Sequence, residues 1–191
     1  DKNVEVLKDS IESLSGEKEL EGVRLKSGKE VMALILGVGI GIAPDQSILK
    51  NLGIEMNQGI LADEFLKTNI ENVYTAGDAA EFFDVIAGRQ LRHGNWMNAI
   101  LQARCVSKTV TGSKTKFELV SSFGAHLLGK HIVFIGDTSR EHADEVIQVE
   151  SAPGSALEIF NRDGKAVGAA IIGDVKKRQE ITNAIKARQN Y

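Results

Sequence analysis

Apolar and polar residues alternate in short runs along the first part of the chain. "NVEVL", "SIESLSG", "LEGVRLKSG" and "EVMALILGVG" are separated by Gly, Lys and Ser, and this spacing predicts a meander of strands. The last run, Val31 to Leu36, is apolar at every position, as expected of a strand buried on both faces. Pro44 suits the first turn of a short helix over "PDQSILKNLG", which Gly53 would end. "GILADEF" predicts a further extended piece. Val73-Tyr74-Thr75-Ala76 then reads as a buried strand stopped abruptly by Gly77-Asp78. From there a polar, glycine-bearing loop leads to "NWMNAILQARCVSKTVTG", where Trp96, Ala99, Ile100, Ala103, Val106 and Val110 recur at helical spacing and Gly112 supplies the stop.

The pattern changes at Lys114. "KFELVSSFG", "KHIVFIGDT", "DEVIQVES" and "ALEIFNRDGKAVGAAIIGD" are strand signals, with a hairpin turn at Asn161-Arg162-Asp163-Gly164 because Asp-Gly tolerates positive φ. A basic helix over "DVKKRQEITNAIKARQNY" is expected to close the chain, with Asp174 as N-cap and Val175, Ile181 and Ile185 as its apolar stripe. The expected division is 1–43, 44–113 and 114–191.

Composition adds limits rather than a function. Hydrophobic residues make up 42% of the 191 and charged residues 26%, with a formal net charge of −3, so nothing favours nucleic acid or an anionic membrane as partner. No apolar run approaches the length of a membrane span, and the N-terminal residues carry no signal core. The single cysteine, Cys105, excludes an internal disulfide or a redox dithiol and points to the reducing cytoplasm. His93, His126, His131 and His142 show no metal-ligand spacing and are expected as scattered surface residues, so no metal site is expected. Cys105 reads as a small buried residue, and "KKRQEITNAIKAR" as a solvated helical face.

Two glycine-bearing segments are candidates for chemistry. "GVGIGIAP" follows a strand signal but fails the Gly-x-Gly-x-x-Gly pattern in both registers, since the third glycine would fall on Ile42 or on Pro44. It is expected to be a crossover between domains. At Gly77-Asp78, small residues allow close approach of a ligand to the backbone while the carboxylate accepts hydrogen bonds from hydroxyls. In open α/β sheets ligands bind beyond the carboxyl ends of strands. The alternative is that Asp78 merely caps the next turn.

The flanking residues bear on that choice. "LADEFLKTNIENVYTAGDAAE" resembles the second FAD motif of the pyridine nucleotide-disulfide oxidoreductase superfamily. The upstream "GKEVMALILGVGIGIAPDQSILKNLGIEMNQGILADEFLKT" resembles the passage between its NAD(P) domain and the returning FAD domain, and "NWMNAILQARCVSKTVTG" resembles its helix beside the flavin, with Ala103 where glycine is more usual. The resemblance covers residues 20 to 112; beyond them the chain is similar to the small C-terminal domain of the rubredoxin reductase and assimilatory nitrite reductase branch.

The resemblance implies an α/β plus α+β fold: residues 1–43 the end of an NAD(P)-binding domain, 44–113 the final segment of an FAD-binding domain, and 114–191 a C-terminal α+β interface domain. It implies a flavoprotein that passes hydride from NAD(P)H to FAD and electrons on to an acceptor protein or domain. Asp78 would bind the ribityl chain of FAD, Gly77 and Ala79 would lie against the cofactor, and Asn95 and Trp96 would sit beside the isoalloxazine at the positive end of a helix dipole. Trp96 equally suits a core aromatic. No FAD or NAD(P) fingerprint and no redox cysteine pair is found, and the chain begins without methionine inside a strand-like run. The expectation is therefore the C-terminal piece of a longer enzyme, inactive alone, whose partners are its own N-terminal portion and an electron acceptor, with further copies of itself as a candidate partner. The rival expectation is a non-catalytic interaction or assembly module derived from that family.

Overall fold

Alternating runs joined by tight turns fold back on themselves, and the first such group forms an antiparallel meander. The computed structural model describes residues 4–191 apart from Pro44, Gln46 and Ile48. Strands β1 (Ile11–Ser15), β2 (Gly22–Leu25) and β3 (Glu30–Met32) form a three-stranded sheet in that order, with Val23 and Leu25 its buried hydrophobic side chains. Contacts divide the chain into two compact units, Asp1–Ile42 and Ala43–Tyr191.

The strand expected over Val31 to Leu36 stops at Met32, and Leu34 and Ile35 are exposed. An all-apolar strand needs a neighbour at each edge and a layer on each face, and the described residues of this unit supply only the meander. The helix expected from Pro44 lies partly outside the described residues. What is described there is a 3-10 turn, Lys50–Leu52, ended by Gly53 in the left-handed conformation.

In the second unit β4 (Ile60–Ala62) runs parallel to β5 (Ala80–Asp84), which turns back antiparallel into β6 (Arg89–Leu91). The expected polar loop after Asp78 is thus a hairpin with a buried strand. Phe82 is fully buried and meets Phe117 edge to face, with ring centroids 5.1 Å apart. Helix α1 (Trp96–Val110) follows. Its buried residues are Asn98, Gln102 and Cys105, whereas Trp96, Ala103 and Val110, part of the expected apolar stripe, are exposed.

The C-terminal sheet contains β7 (Ser122–Leu127), β8 (Lys130–Gly136), β9 (Glu145–Ala152), β10 (Ser155–Arg162) and β11 (Lys165–Ile172) in the antiparallel order β7-β8-β11-β10-β9. The Asp163-Gly164 hairpin forms as expected, with φ of 51° and 68°. Lys116 to Val120, expected as a strand, is irregular yet buries Phe117 and Val120. Helix α2 (Arg178–Lys186) lays Ile181 and Ile185 on a core that includes Val133, Ile135, Ile159 and Ile171. It begins after the expected cap: Asp174 accepts from Lys176 N at 3.0 Å in the preceding turn. No described helix is long and apolar enough to cross a membrane.

Candidate functional site around Gly77 and Asp78

The approach to Gly77 is a narrow paired segment rather than a regular strand. Val73 to Ala76 is extended and pairs on one side only, through Thr68 N to Val73 O at 2.9 Å, Thr75 N to Leu66 O at 3.0 Å and the Lys67–Tyr74 bridge. The strand expected there is reduced to that bridge because no described neighbour occupies its other edge. Thr68 Oγ1 ties off the turn by donating to Val73 O at 3.0 Å.

At its end Gly77, Asp78 and Ala79 form one 3-10 turn leading into β5. Gly77 has φ of 80°, a left-handed conformation that favours glycine, and a Cβ there would meet Ala99 on α1 in ordinary contact at 3.6 Å. Its N–H donates to Gln102 Oε1 at 2.6 Å. Arg92 Nε donates to Asp78 O at 2.7 Å. Behind the turn, buried Glu81 accepts from Asn57 Nδ2 at 3.0 Å and Gly59 N at 2.9 Å, and a Cβ on Gly59 would come within 2.8 Å of Ala79 O.

Asp78 therefore has its backbone fixed from two sides while its side chain is left over. Among the described residues the carboxylate has no hydrogen-bond or ion-pair partner, and no side chain caps the turn. A turn-capping role for Asp78 has no bond to support it.

Asn95 is the N-cap of α1: its Oδ1 accepts from Asn98 N at 3.0 Å, and its Nδ2 donates to Ser121 Oγ at 3.3 Å. Trp96, the first residue of the helix, is 77% exposed and so is no core aromatic. The turn carrying Gly77, Asp78 and Ala79 thus rests on the helix that Asn95 and Trp96 begin. Gln102, Arg92, Glu81 and Asn98 support the arrangement and were not among the expected site residues. The available signal was the spacing Asn98, Gln102, Cys105, a second helical stripe made of uncharged polar residues.

Beside this site the β5–β6 hairpin meets the C-terminal sheet across a cavity of about 180 Å³ lined by Asp84, His93, Asp137, Arg162 and Arg188 among others. Asp137 Oδ2 accepts from Arg89 Nη2 at 2.6 Å, and Arg162 donates to Ala87 O at 2.5 Å. Arg188 donates to Val85 O. Burial alone would raise the Asp137 carboxyl, but hydrogen bonds from Arg89, Ser139 N and His142, with the Arg89 charge, hold it below the ordinary carboxylate range. His142 Nδ1 touches both Arg89 and Asp137; it accepts from the first only when unprotonated and donates to the second only when protonated. Cys105 is buried, donates to Thr115 O at 3.1 Å and has its thiol pushed up by burial, which suits an inert packing residue.

Comparison with known proteins adds kinship. Nitrite reductase [NAD(P)H] of Bacillus subtilis (strain 168) is 26% identical over 184 residues, 95% of this chain and 22% of that protein. Rhodocoxin reductase of Rhodococcus erythropolis is 35% identical over 141 residues, 73% of this chain and 32% of that protein. A ferredoxin reductase from Rhodopseudomonas palustris shares the fold, with a TM-score of 0.84 at 23% identity over 96% of this chain and 45% of the other. Putidaredoxin reductase in its covalent complex with putidaredoxin gives 0.83 at 18% identity over 94% and 44%. The chain spans 22% of the first of these curated relatives and 32% of the second. Residues 1–103 match the pyridine nucleotide-disulphide oxidoreductase family, and the chain belongs to it.

Proposed function

We propose that the chain supplies the closing part of an FAD site in an NAD(P)H-dependent flavoprotein reductase. Its segments would be the end of the NAD(P) domain (1–43), the last FAD-domain segment (44–113) and a C-terminal interface domain (114–191). The observation that carries this reading is the Asp78 carboxylate, which sits on a turn fixed through Gly77 N and Asp78 O and has no partner of its own among the described residues. A partnerless carboxylate beside small residues fits the hydroxyls of a ribityl chain. Gly77 and Ala79 keep the turn low enough for a cofactor to lie against it. Asn95 holds the first turn of α1, whose positive end favours an electron-rich ring system, and the exposure of Trp96 leaves its indole available to such a ring.

FAD, when bound, would accept hydride from NAD(P)H and release electrons to an acceptor; the protein supplies position and electrostatics. The acceptor class follows the relatives, several of which are named reductases of rubredoxin or ferredoxin, so a small electron-carrier protein is proposed, in the cytoplasm. The test is a protein joining this chain to the family's N-terminal FAD-binding half. It should be yellow, and Asp78→Ala should weaken FAD about ten- to a hundredfold, the equivalent of a hydrogen bond to a charged group of about 1.5–3 kcal/mol. Unchanged FAD retention on dialysis of the variant would refute the assignment of Asp78.

A further inference from the structure

The turn between β7 and β8 is Leu128-Gly129, with φ of 53° and 75°. Two consecutive residues at positive φ make the two-residue hairpin turn that matches strand twist, and such a turn fixes the register. Leu127 pairs with Lys130, and His126 pairs with His131. In a hairpin of this kind the pair flanking the turn exchanges backbone hydrogen bonds, so the next pair outward is the non-hydrogen-bonded one, whose side chains stand closer. His126 and His131 occupy that position. Their ring centroids are 3.5 Å apart at 62°, both residues are exposed, and neither ring has a hydrogen-bond partner among the described residues.

We propose that His126 and His131 form a bidentate site for one divalent late first-row transition ion, Cu²⁺, Ni²⁺ or Zn²⁺, with water in the remaining positions. Two adjacent imidazole ligands at 2.0–2.1 Å from a metal need their nitrogens roughly 3 Å apart, in tetrahedral or square-planar geometry alike. Rings already in contact reach that separation by rotating about their own side-chain bonds. The hairpin holds both ligands in place before binding, so little conformational freedom is lost on chelation. Imidazole suits these ions and not Mg²⁺ or Ca²⁺, and affinity should be greatest for Cu²⁺.

The other two histidines are engaged elsewhere. His93 Nε2 lies 3.6 Å from Asp84 Oδ2 beside the inter-segment cavity, and His142 lies against the Arg89 cation, which would repel a metal. In the sequence the proposed pair is separated by five positions, which is no ligand spacing for a helix or for one strand. Across a two-residue turn it becomes a direct cross-strand pair.

The experiment uses the full chain stripped with a chelator and titrated calorimetrically with Cu²⁺, Ni²⁺ and Zn²⁺. One ion per chain is expected, weakened at least about tenfold, 1.4 kcal/mol, by His126→Ala or by His131→Ala. The thermal midpoint of each metal-free variant should match that of the wild type, since both residues are exposed. Ni²⁺ should broaden the imidazole resonances of His126 and His131 before those of His93 and His142. Absence of Cu²⁺ binding, binding that survives both substitutions, or first broadening at His93 or His142 would overturn the proposal.

Discussion

Gln102 has no solvent exposure, yet only one end of its amide is used: Oε1 accepts from Gly77 N, while Nε2 is buried without a hydrogen-bond partner. Turning the amide over would set donor against donor, so the orientation follows from the Gly77 N–H itself. Gln102→Leu removes the idle Nε2 but strips that part-buried N–H of its acceptor, a loss of about 1 kcal/mol, the low end for a donor left without its partner. The variant should therefore unfold at lower urea than the wild type; an unchanged midpoint would mean that Gly77 N–H is satisfied without the glutamine. Gly77 and Asp78 are conspicuous in the sequence as a glycine-carboxylate pair that closes an apolar run. Gln102 is not, because a glutamine on a helix ordinarily points to solvent, and only the contact of the turn with Ala99 puts it inside.

Elements whose partners are local are legible in the sequence, and those whose partners are distant are not. The Asp163-Gly164 hairpin and the stripe of α2 follow from turn chemistry and helical period, and both form. The β5–β6 hairpin reads as a polar loop in the sequence because Glu81, Asp84, Gly88 and Arg89 interrupt its apolar residues, and the partner that fixes Arg89 lies elsewhere in the fold. Arg89 finds Asp137, 48 positions away, and Arg162 from the C-terminal sheet reaches the hairpin carbonyl of Ala87. Because the folded carboxyl of Asp137 is held low, its contribution is fully present above the unfolded value near 3.9 and is lost as pH falls through the folded value. Asp137→Asn should thus destabilise the chain at about pH 7 by roughly 1.5–3 kcal/mol, the scale of a hydrogen bond to a charged group. The gap in urea midpoint between variant and wild type should narrow as pH is lowered toward about 3. A gap independent of pH would show that geometry, rather than the charge facing Arg89, Arg162 and His142, holds the hairpin.

Across the whole chain, burial is distributed against the sequence pattern in one place. The core of the second unit takes residues with a polar one between them, such as Leu157 and Ile159 on either side of Glu158 on β10. The uninterrupted apolar run of the first unit is left open, with Leu34 80% and Ile35 89% exposed. A continuous run is written for two covered faces, and the residues that would cover them are not among those described. Exposed apolar stretches of this kind mark surfaces made for contact. In the chain alone, Leu34→Ser with Ile35→Ser should change stability by no more than about 0.5 kcal/mol per site, as for other exposed positions, and should reduce self-association on gel filtration. Ile135→Ala, fully buried, should instead cost about 2–5 kcal/mol. In the chain joined to the family's N-terminal half, the proposed strand of the NAD(P) domain acquires its neighbours, and the Leu34 and Ile35 substitutions should become as costly as Ile135→Ala. If they stay neutral in the joined protein while Ile135→Ala remains severe, the run is no buried strand in the longer protein either, and residues 1–43 lose their proposed place in the NAD(P) domain.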